Sequence, residues 1–293
     1  MASMAQKDME STSNENKTSM RNDARDRLSE LPDDILVHIL SFLPILDAVR
    51  TMSIRRFDEV NEVRFTARNI EKLDISSFGL FEIDCPNLKI LNIHLSCREE
   101  SSYLRGVNIP SVHEVHLQSI DEYDYILNKI CKVEVVKFSE DAFQQSIFEE
   151  VNIPQTRWNC LHIELSQLNE YQLIGIFRVL RSSPHLEKLI VFSNSQENMK
   201  QALGMLSEEL SMSSPCVLPL LKTVTIRGYR VACQSQLRLA ECLLKSCVTL
   251  EKMVILPSTY ELVAIEELKF VKRLCSFPRA SANARVIYGS EIY

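Results

Sequence analysis

The chain has 293 residues, of which 45% are hydrophobic and 25% are charged, and these values suit a globular protein with one large or two small domains. Its formal net charge of −6 argues against a protein that binds nucleic acid or an anionic membrane, because both partners require a basic surface. The sequence contains no GxxxxGK[ST] or GxGxxG motif and no apolar run of about 18 residues, so it predicts neither a phosphate-binding loop nor a transmembrane helix.

The nine cysteines predict a reducing compartment. Their number is odd, no CxxC pair occurs, and the start of the chain shows no signal-peptide pattern. Free, buried thiols in an intracellular protein are typical of this usage. The sequence leaves nucleus and cytoplasm open as locations.

The first segment of the chain, residues 1–25, is predicted to be a disordered tail. It is rich in Ser, Thr, Asn, Lys and Glu and contains no large aliphatic residue other than Met. Such a segment cannot bury enough apolar surface to offset the entropy that it loses on ordering.

A short amphipathic helix is predicted next. Pro32 suits the first turn of a helix, and Asp33 and Asp34 complement the positive end of its dipole. Pro44 ends the helix. Between these limits five aliphatic residues form one wide apolar face: Ile35, Leu36, Ile39, Leu40 and Leu43.

A second short helix is predicted after Pro44. Asp47 is typical of a helix N-cap, and the helix is expected to continue through Val49 and Met52. Two helices this short are marginally stable alone. We therefore predict that they pack against another surface, either in this chain or in a partner.

From about residue 70 an apolar-x-x-apolar-x-apolar pattern recurs, starting at residues 70, 88, 112, 133, 158, 186, 221 and 250. Most of the intervals lie near the roughly 20–29 residues of a leucine-rich repeat. The end of each unit alternates apolar and polar residues, which predicts a short strand. Stacked units of this kind form a solenoid with a parallel sheet on its concave side. The pattern residues are Ile70, Leu73, Ile75, Leu88, Leu91, Ile93, Val112, Val115, Leu117, Val133, Val136, Phe138, Trp158, Leu161, Ile163, Leu186, Leu189, Val191, Leu221, Val224, Ile226, Leu250, Met253 and Ile255.

The segments that link these units differ along the chain. The early ones are too short for full helices and are predicted to be irregular. Three later ones carry apolar residues at helical spacing. Their predicted buried faces are Leu173, Ile174, Phe177 and Leu180; then Leu237, Ala240, Leu243 and Leu244; and finally Leu262, Ile265, Leu268, Val271 and Leu274.

Two parts of the chain resemble the plant F-box/FBD/leucine-rich-repeat family. The stretch DRLSELPDDILVHILSFLPILDAVRT resembles the F-box, and LPLLKTVTIRGYR, LRLAECLLKSCVTLEKMVIL and LCSFPRASANARVIY resemble the FBD region. The family has a basic-basic-Trp motif after the second helix. Here Arg55 and Arg56 supply the two basic residues, but Phe57 stands in place of the Trp. The F-box-like motif is therefore predicted to be shortened after Phe57. Its matching residues are Leu31, Pro32, Asp33, Asp34, Ile35, Leu36, Ile39, Leu40, Ser41, Leu43, Pro44, Asp47, Ala48, Val49 and Thr51.

The resemblance implies an α/β solenoid of degenerate leucine-rich repeats with a parallel sheet, preceded by a short all-α F-box-like motif. The implied domains are a tail at 1–25, the motif at 26–60, a repeat array at 68–212 and an FBD-like region at 213–293. The motif would dock on the Skp-type adaptor of a cullin–RING ubiquitin ligase. The adaptor-binding residues that the resemblance implies are Leu31, Pro32, Ile35, Leu36, Ile39, Leu40, Leu43, Pro44 and Val49.

The implied function is that of a substrate receptor whose repeats bind an unknown target protein, without catalysis, cofactor, nucleic acid or membrane. The alternative is a repeat scaffold or competitor that has lost adaptor binding. Target contacts are expected at exposed positions between the apolar ones, such as Lys72, Asp74, Glu114, His116, Glu134 and Lys137. His113 and His116 do not predict a metal site, because residues three apart on a strand point to opposite faces.

Overall fold

The computed structural model describes residues 32, 35, 50–55, 62–76, 80–94, 104–118, 123–140, 153–193, 218–228, 234–257 and 264–289. Within these ranges it contains parallel strands and four helices, consistent with an α/β solenoid-like fold. In chain order the elements are β1 Thr51–Arg55, β2 Glu62–Thr66, β3 Lys72–Ser76, β4 Leu80–Asp84, β5 Ile90–His94, β6 Leu104–Asn108, β7 Glu114–Gln118, α1 Tyr123–Ile130, β8 Val135–Phe138, β9 Cys160–Leu165, α2 Glu170–Arg181, β10 Lys188–Ser193, β11 Thr223–Gly228, α3 Gln234–Ser246, β12 Lys252–Pro257, α4 Ala264–Ser276 and β13 Arg285–Tyr288.

Ten strands form the main sheet in the order β1-β3-β5-β7-β8-β9-β10-β11-β12-β13, and every neighbouring pair is parallel. The pairing aligns the predicted apolar positions across the sheet. Leu161, for example, pairs with Val136 on β8 and with Leu189 on β10. All pattern residues predicted from the sequence are buried, and the most exposed of them, Val112, retains 8% of its accessible surface. The strands and their core face are therefore confirmed.

A repeated turn leads the chain into these strands. In four units a proline stands second in the turn, as in Ser183-Pro184-His185-Leu186, where the Leu186 N–H donates to the Ser183 carbonyl at 3.2 Å. Proline favours this position because its ring fixes the required φ angle. The same turn precedes β5, β7 and β11, at Pro86, Pro110 and Pro219.

One backbone carbonyl of each unit binds two N–H groups of the next. The Glu187 carbonyl accepts from the N–H groups of Lys222 and Thr223 at 2.9 and 3.0 Å. Equivalent paired bonds occur at the carbonyls of Arg50, Glu71, Lys89, His113, Glu134, Asn159 and Lys222. These contacts satisfy the backbone groups just before each strand, so successive units are held in register by more than side-chain packing.

The early linking segments correct one prediction. Two of them are not irregular: they form β4 and β6, which together with β2, ahead of the first unit, make a second, three-stranded parallel sheet. Phe65 and Ile83, from its first two strands, are buried in the same core as the main-sheet residues. These links are too short for a helix. A strand spans the same distance with fewer residues than a helix needs, so a five-residue strand is enough to cover the core.

Thr51–Arg55 also differ from the prediction. The helix expected through Met52 is wrong at Thr51 and Met52, because Thr51–Arg55 form β1 and pair with Lys72–Ser76 of β3. Met52 packs against the hydrophobic core from this strand. The strand pairing of five residues with β3 stabilises this segment more than a short helix would, because so short a helix is only marginally stable.

Of the three predicted helical faces, two are confirmed and one is partly wrong. Each predicted residue of α3 is buried, and α2 buries all but Ile174, which is half-buried. In α4, Phe270 and Leu274 are buried, whereas Ile265 and Leu268 are 65% and 55% exposed. A spacing of three residues falls short of a helical turn, so residues chosen at that spacing drift around the helix and leave the buried stripe. Leu262 lies outside the described residues.

Candidate functional site

The outward face of the main sheet lies opposite the core and carries the alternate side chains of each strand. Its middle row runs through Asp74, Asn92, His116, Lys137, His162, Ile190, Thr225, Val254 and Ile287, each on the strand next to the last. The first part of this row is polar and the last part is mainly apolar. The face therefore changes character between β9 and β10.

On the polar half, side chains are paired with one another. Glu114 Oε1 lies 2.6 Å from Lys137 Nζ, which donates to it, and 2.7 Å from His116 Nε2. Asp74 accepts a hydrogen bond from the Asn92 amide, and its carboxylate lies 3.8 Å from Lys72 Nζ. The charged groups predicted to contact a target are thus largely neutralised within the face.

Two pKa values on this half reflect its packing. The hydrogen bonds from His116 and Lys137 lower the pKa of Glu114 from 4.5 to about 2. Burial lowers the pKa of His162, although Glu164, 3.5 Å away, opposes this shift. Glu114 is consequently the ionised centre of the polar half over the whole physiological pH range.

The depressed pKa of Glu114 predicts a pH-dependent contribution to stability. The ionised carboxylate stabilises the folded state above the ordinary pKa of 4.5, and this stabilisation is lost as the pH falls toward about 2. At pH 7 we expect Glu114→Gln to lower the free energy of unfolding by up to about 1 kcal/mol, because its ion pairs are partly exposed. Urea unfolding of both proteins at pH 7, 5 and 3 checks this expectation.

The matched control is Glu134→Gln, which removes an exposed carboxylate from the turn before β8. This variant should follow the wild-type stability at every pH. A difference between wild type and Glu114→Gln that persists undiminished at pH 3 would contradict the proposed origin of the shift.

Only two of the nine predicted adaptor-binding residues lie among the described residues. Pro32 is exposed, and Ile35 is helical and 42% exposed, with its N–H donating to the Pro32 carbonyl at 3.0 Å. The other predicted adaptor-binding residues lie outside the described ranges: Leu31, Leu36, Ile39, Leu40, Leu43, Pro44 and Val49. So does the predicted tail at 1–25.

The described residues contain no cluster of three His, Cys, Asp or Glu side chains that would hold a metal ion. Six cysteines within the described ranges are free thiols, but only Cys85 and Cys247 are buried. Burial raises the pKa of Cys85 to about 11, so this thiol is protonated and unreactive at neutral pH. None of the helices that the structure describes is long and apolar enough to cross a membrane.

Two family models match the chain. The F-box domain model matches residues 28–54, and the FBD model matches residues 211–255, which contain β11, α3 and most of β12. The F-box match ends inside β1, so its last residues belong to the main sheet. No solved structure matches the chain.

A curated FBD-associated F-box protein from Arabidopsis thaliana is 32% identical over 125 residues. The match covers 42% of this chain and 26% of the relative, so it spans about a quarter of the relative's length.

The fold defines a solenoid-like α/β protein with a ten-stranded main sheet. The two family models and the Arabidopsis relative support the resemblance to plant F-box/FBD proteins that is seen in the sequence.

Proposed function

We propose that the chain is a substrate-receptor subunit of an SCF-type cullin–RING ubiquitin ligase. The observation that carries this proposal is the F-box match at residues 28–54. In this role the F-box helices dock on a Skp-type adaptor, with the aliphatic face that includes Ile35, Leu36, Ile39 and Leu40 buried in a groove and polar residues at the rim.

The rest of the chain would hold the target protein. Residues 68–212 act as a degenerate leucine-rich-repeat array, and residues 213–293 act as an FBD-like region that continues the solenoid. The outward face of the main sheet is the surface offered to the target. Such a receptor performs no catalytic chemistry of its own; it raises the effective concentration of the target near the ligase. The protein would act inside the cell, in the nucleus, the cytoplasm or both.

Co-purification with a Skp-type adaptor tests the proposal. The full chain and the adaptor are mixed at micromolar concentration and separated by size exclusion. We expect a complex from the wild type and none from the Leu36→Asp/Leu40→Asp double variant, because two carboxylates would be buried without partners at the interface. Absence of a wild-type complex would refute the receptor function.

A second function is favoured by one observation. Because Thr51–Arg55 form β1 and pair with β3, Thr51 and Met52 are not available to the second short helix that is predicted after Pro44. If the loss of these residues from the helix abolishes adaptor binding, the chain acts as a repeat scaffold or competitor that binds targets but not the adaptor. In this case the adaptor remains unbound in the same experiment, while target binding by the sheet persists.

A further inference from the structure

The outward face of the last four strands carries an unusual row of cations. The pairing aligns Lys188 on β10 with Thr223, Lys252 and Arg285 on the following strands. Lys188, Lys252 and Arg285 are all exposed. The three charges therefore lie on one line across the sheet, within about 15 Å, because neighbouring strands are about 4.8 Å apart.

These cations lack partners, in contrast to three lysines on other strands or in the turn before β11. Lys72, Lys137 and Lys222 each lie within 4 Å of a carboxylate, at 3.8, 2.6 and 2.9 Å. Within the described ranges, no side-chain hydrogen bond or ion pair is made by Lys188, Lys252 or Arg285. A chain of net charge −6 thus holds an uncompensated basic row at one end of its sheet.

A mainly apolar row lies beside the cation row, two residues further along the strands. It consists of Ile190, Thr225, Val254 and Ile287, which are aligned by the same pairing. Val254 lies outside the hydrophobic core cluster but is only 7% exposed, so it offers little surface to a ligand. Ile287 is 44% exposed and offers the most accessible apolar surface.

We infer that this C-terminal patch, formed by Lys188, Ile190, Lys252, Val254, Arg285 and Ile287, receives an extended acidic and apolar segment of the target protein. An extended segment that crosses the strands between the two rows directs alternate side chains to opposite sides. Acidic side chains on one side then meet the cation row, and apolar side chains on the other meet Ile190 and Ile287. The inference rests on the proposed receptor function, and it states which kind of target segment the receptor would bind.

The polar half of the face is a poorer candidate for the same segment. Its charges already satisfy one another, so a ligand would have to displace the Glu114 contacts with Lys137 and His116 before forming its own. The C-terminal patch requires no such exchange. Charge complementarity therefore favours β10–β13 over β3–β9 as the docking region.

Fluorescence anisotropy with labelled twelve-residue peptides tests the inference on the purified full chain without any adaptor. The probes are an alternating Glu/Leu peptide, a Lys/Leu peptide with reversed charge, and a Glu/Ser peptide without apolar side chains. We expect the Glu/Leu peptide to bind at least about tenfold more tightly than the other two, and its binding to weaken with added salt. Equal binding of the three peptides, or no binding, would overturn the inference.

Charge reversal locates the site. Lys188→Glu/Lys252→Glu/Arg285→Glu should weaken Glu/Leu binding at least about tenfold. The matched control, Lys132→Glu/Lys269→Glu/Lys272→Glu, makes the same change in net charge at exposed positions off this face and should bind within about twofold of wild type. Equal loss in both variants would show a non-specific charge effect and overturn the inference.

Two further outcomes are informative. Ile287→Ser removes the accessible apolar contact without changing charge, so it replaces the charge reversal if circular dichroism shows that the triple variant does not fold. Preference of the protein for phosphatidylserine vesicles over the Glu/Leu peptide would also contradict the inference. Because no adaptor is present, failure of peptide binding leaves the adaptor co-purification result intact, and the two hypotheses fail separately.

Discussion

Replacing Trp158 with Ala is expected to lower the free energy of unfolding by about 3–5 kcal/mol. Trp158 is fully buried before β9, and its ring meets the edge of Phe138 with a centroid distance of 5.8 Å. Its indole Nε1 donates to the Ile130 carbonyl at 2.9 Å, which ties β9 to the end of α1. Removing the ring leaves a large cavity between neighbouring units of the solenoid.

Urea unfolding followed by far-ultraviolet circular dichroism measures this loss. Trp158→Phe keeps one aromatic ring while removing the donor and part of the indole volume, so it should cost less than Trp158→Ala. The Val133 N–H also donates to the Ile130 carbonyl, so that carbonyl stays paired and we expect a smaller cost of about 0.5–1.5 kcal/mol. A loss below about 1 kcal/mol for Trp158→Ala would contradict this role, since buried aromatic truncations normally cost more.

Gly228→Ala is expected to destabilise the protein by about 1–3 kcal/mol, because overpacking forces neighbours in a dense core to move. Gly228 ends β11 and is buried against α3. A Cβ atom at this position would lie 1.8 Å from Gln236 Nε2 and 2.8 Å from Gln236 Cδ. Gln236 is only 4% exposed, so its amide has little room to move away.

A double-mutant cycle checks this origin by urea unfolding. In a Gln236→Ala background, Gly228→Ala should cost much less, because the clashing amide is gone. Gly106→Ala is the matched single control: its Cβ would lie 2.9 Å from Glu82 Cγ, but the Glu82 side chain is 36% exposed and can move into solvent. Equal costs for Gly228→Ala in both backgrounds would exclude the clash as the cause.

The main sheet was predictable because each of its units repeats both the apolar spacing and the alternation of a strand. The turns before several strands were predictable too, since proline recurs at a fixed position, as in Pro86 and Pro184. The second sheet was missed because β2, β4 and β6 are five residues long and acquire stability only from non-local pairing. The helix α1 was missed for a related reason: only eight residues, Tyr123–Ile130, carry its pattern.

The site was predictable only in part. Strand alternation identifies which residues face outward, and five of the six suggested target contacts do lie on that face, while Glu134 is exposed in the turn before β8. Alternation does not reveal which charges pair, because the contact between Glu114 and Lys137 depends on the register of β7 against β8. The distinction between a neutralised half and a basic C-terminal patch therefore emerges only from the strand pairing.

The unbroken pairing of the main sheet also fixes the distance between its two ends. Ten strands are separated by nine intervals of about 4.8 Å, so the sheet measures roughly 43 Å along its pairing direction. The F-box match ends in β1, and the C-terminal patch begins six intervals away on β10. Under the proposed function, the rigid sheet would hold a target on that patch at a fixed distance from the adaptor, whereas a flexible linker would not. Adding or removing one unit would change the reach of the receptor by about 4.8 Å.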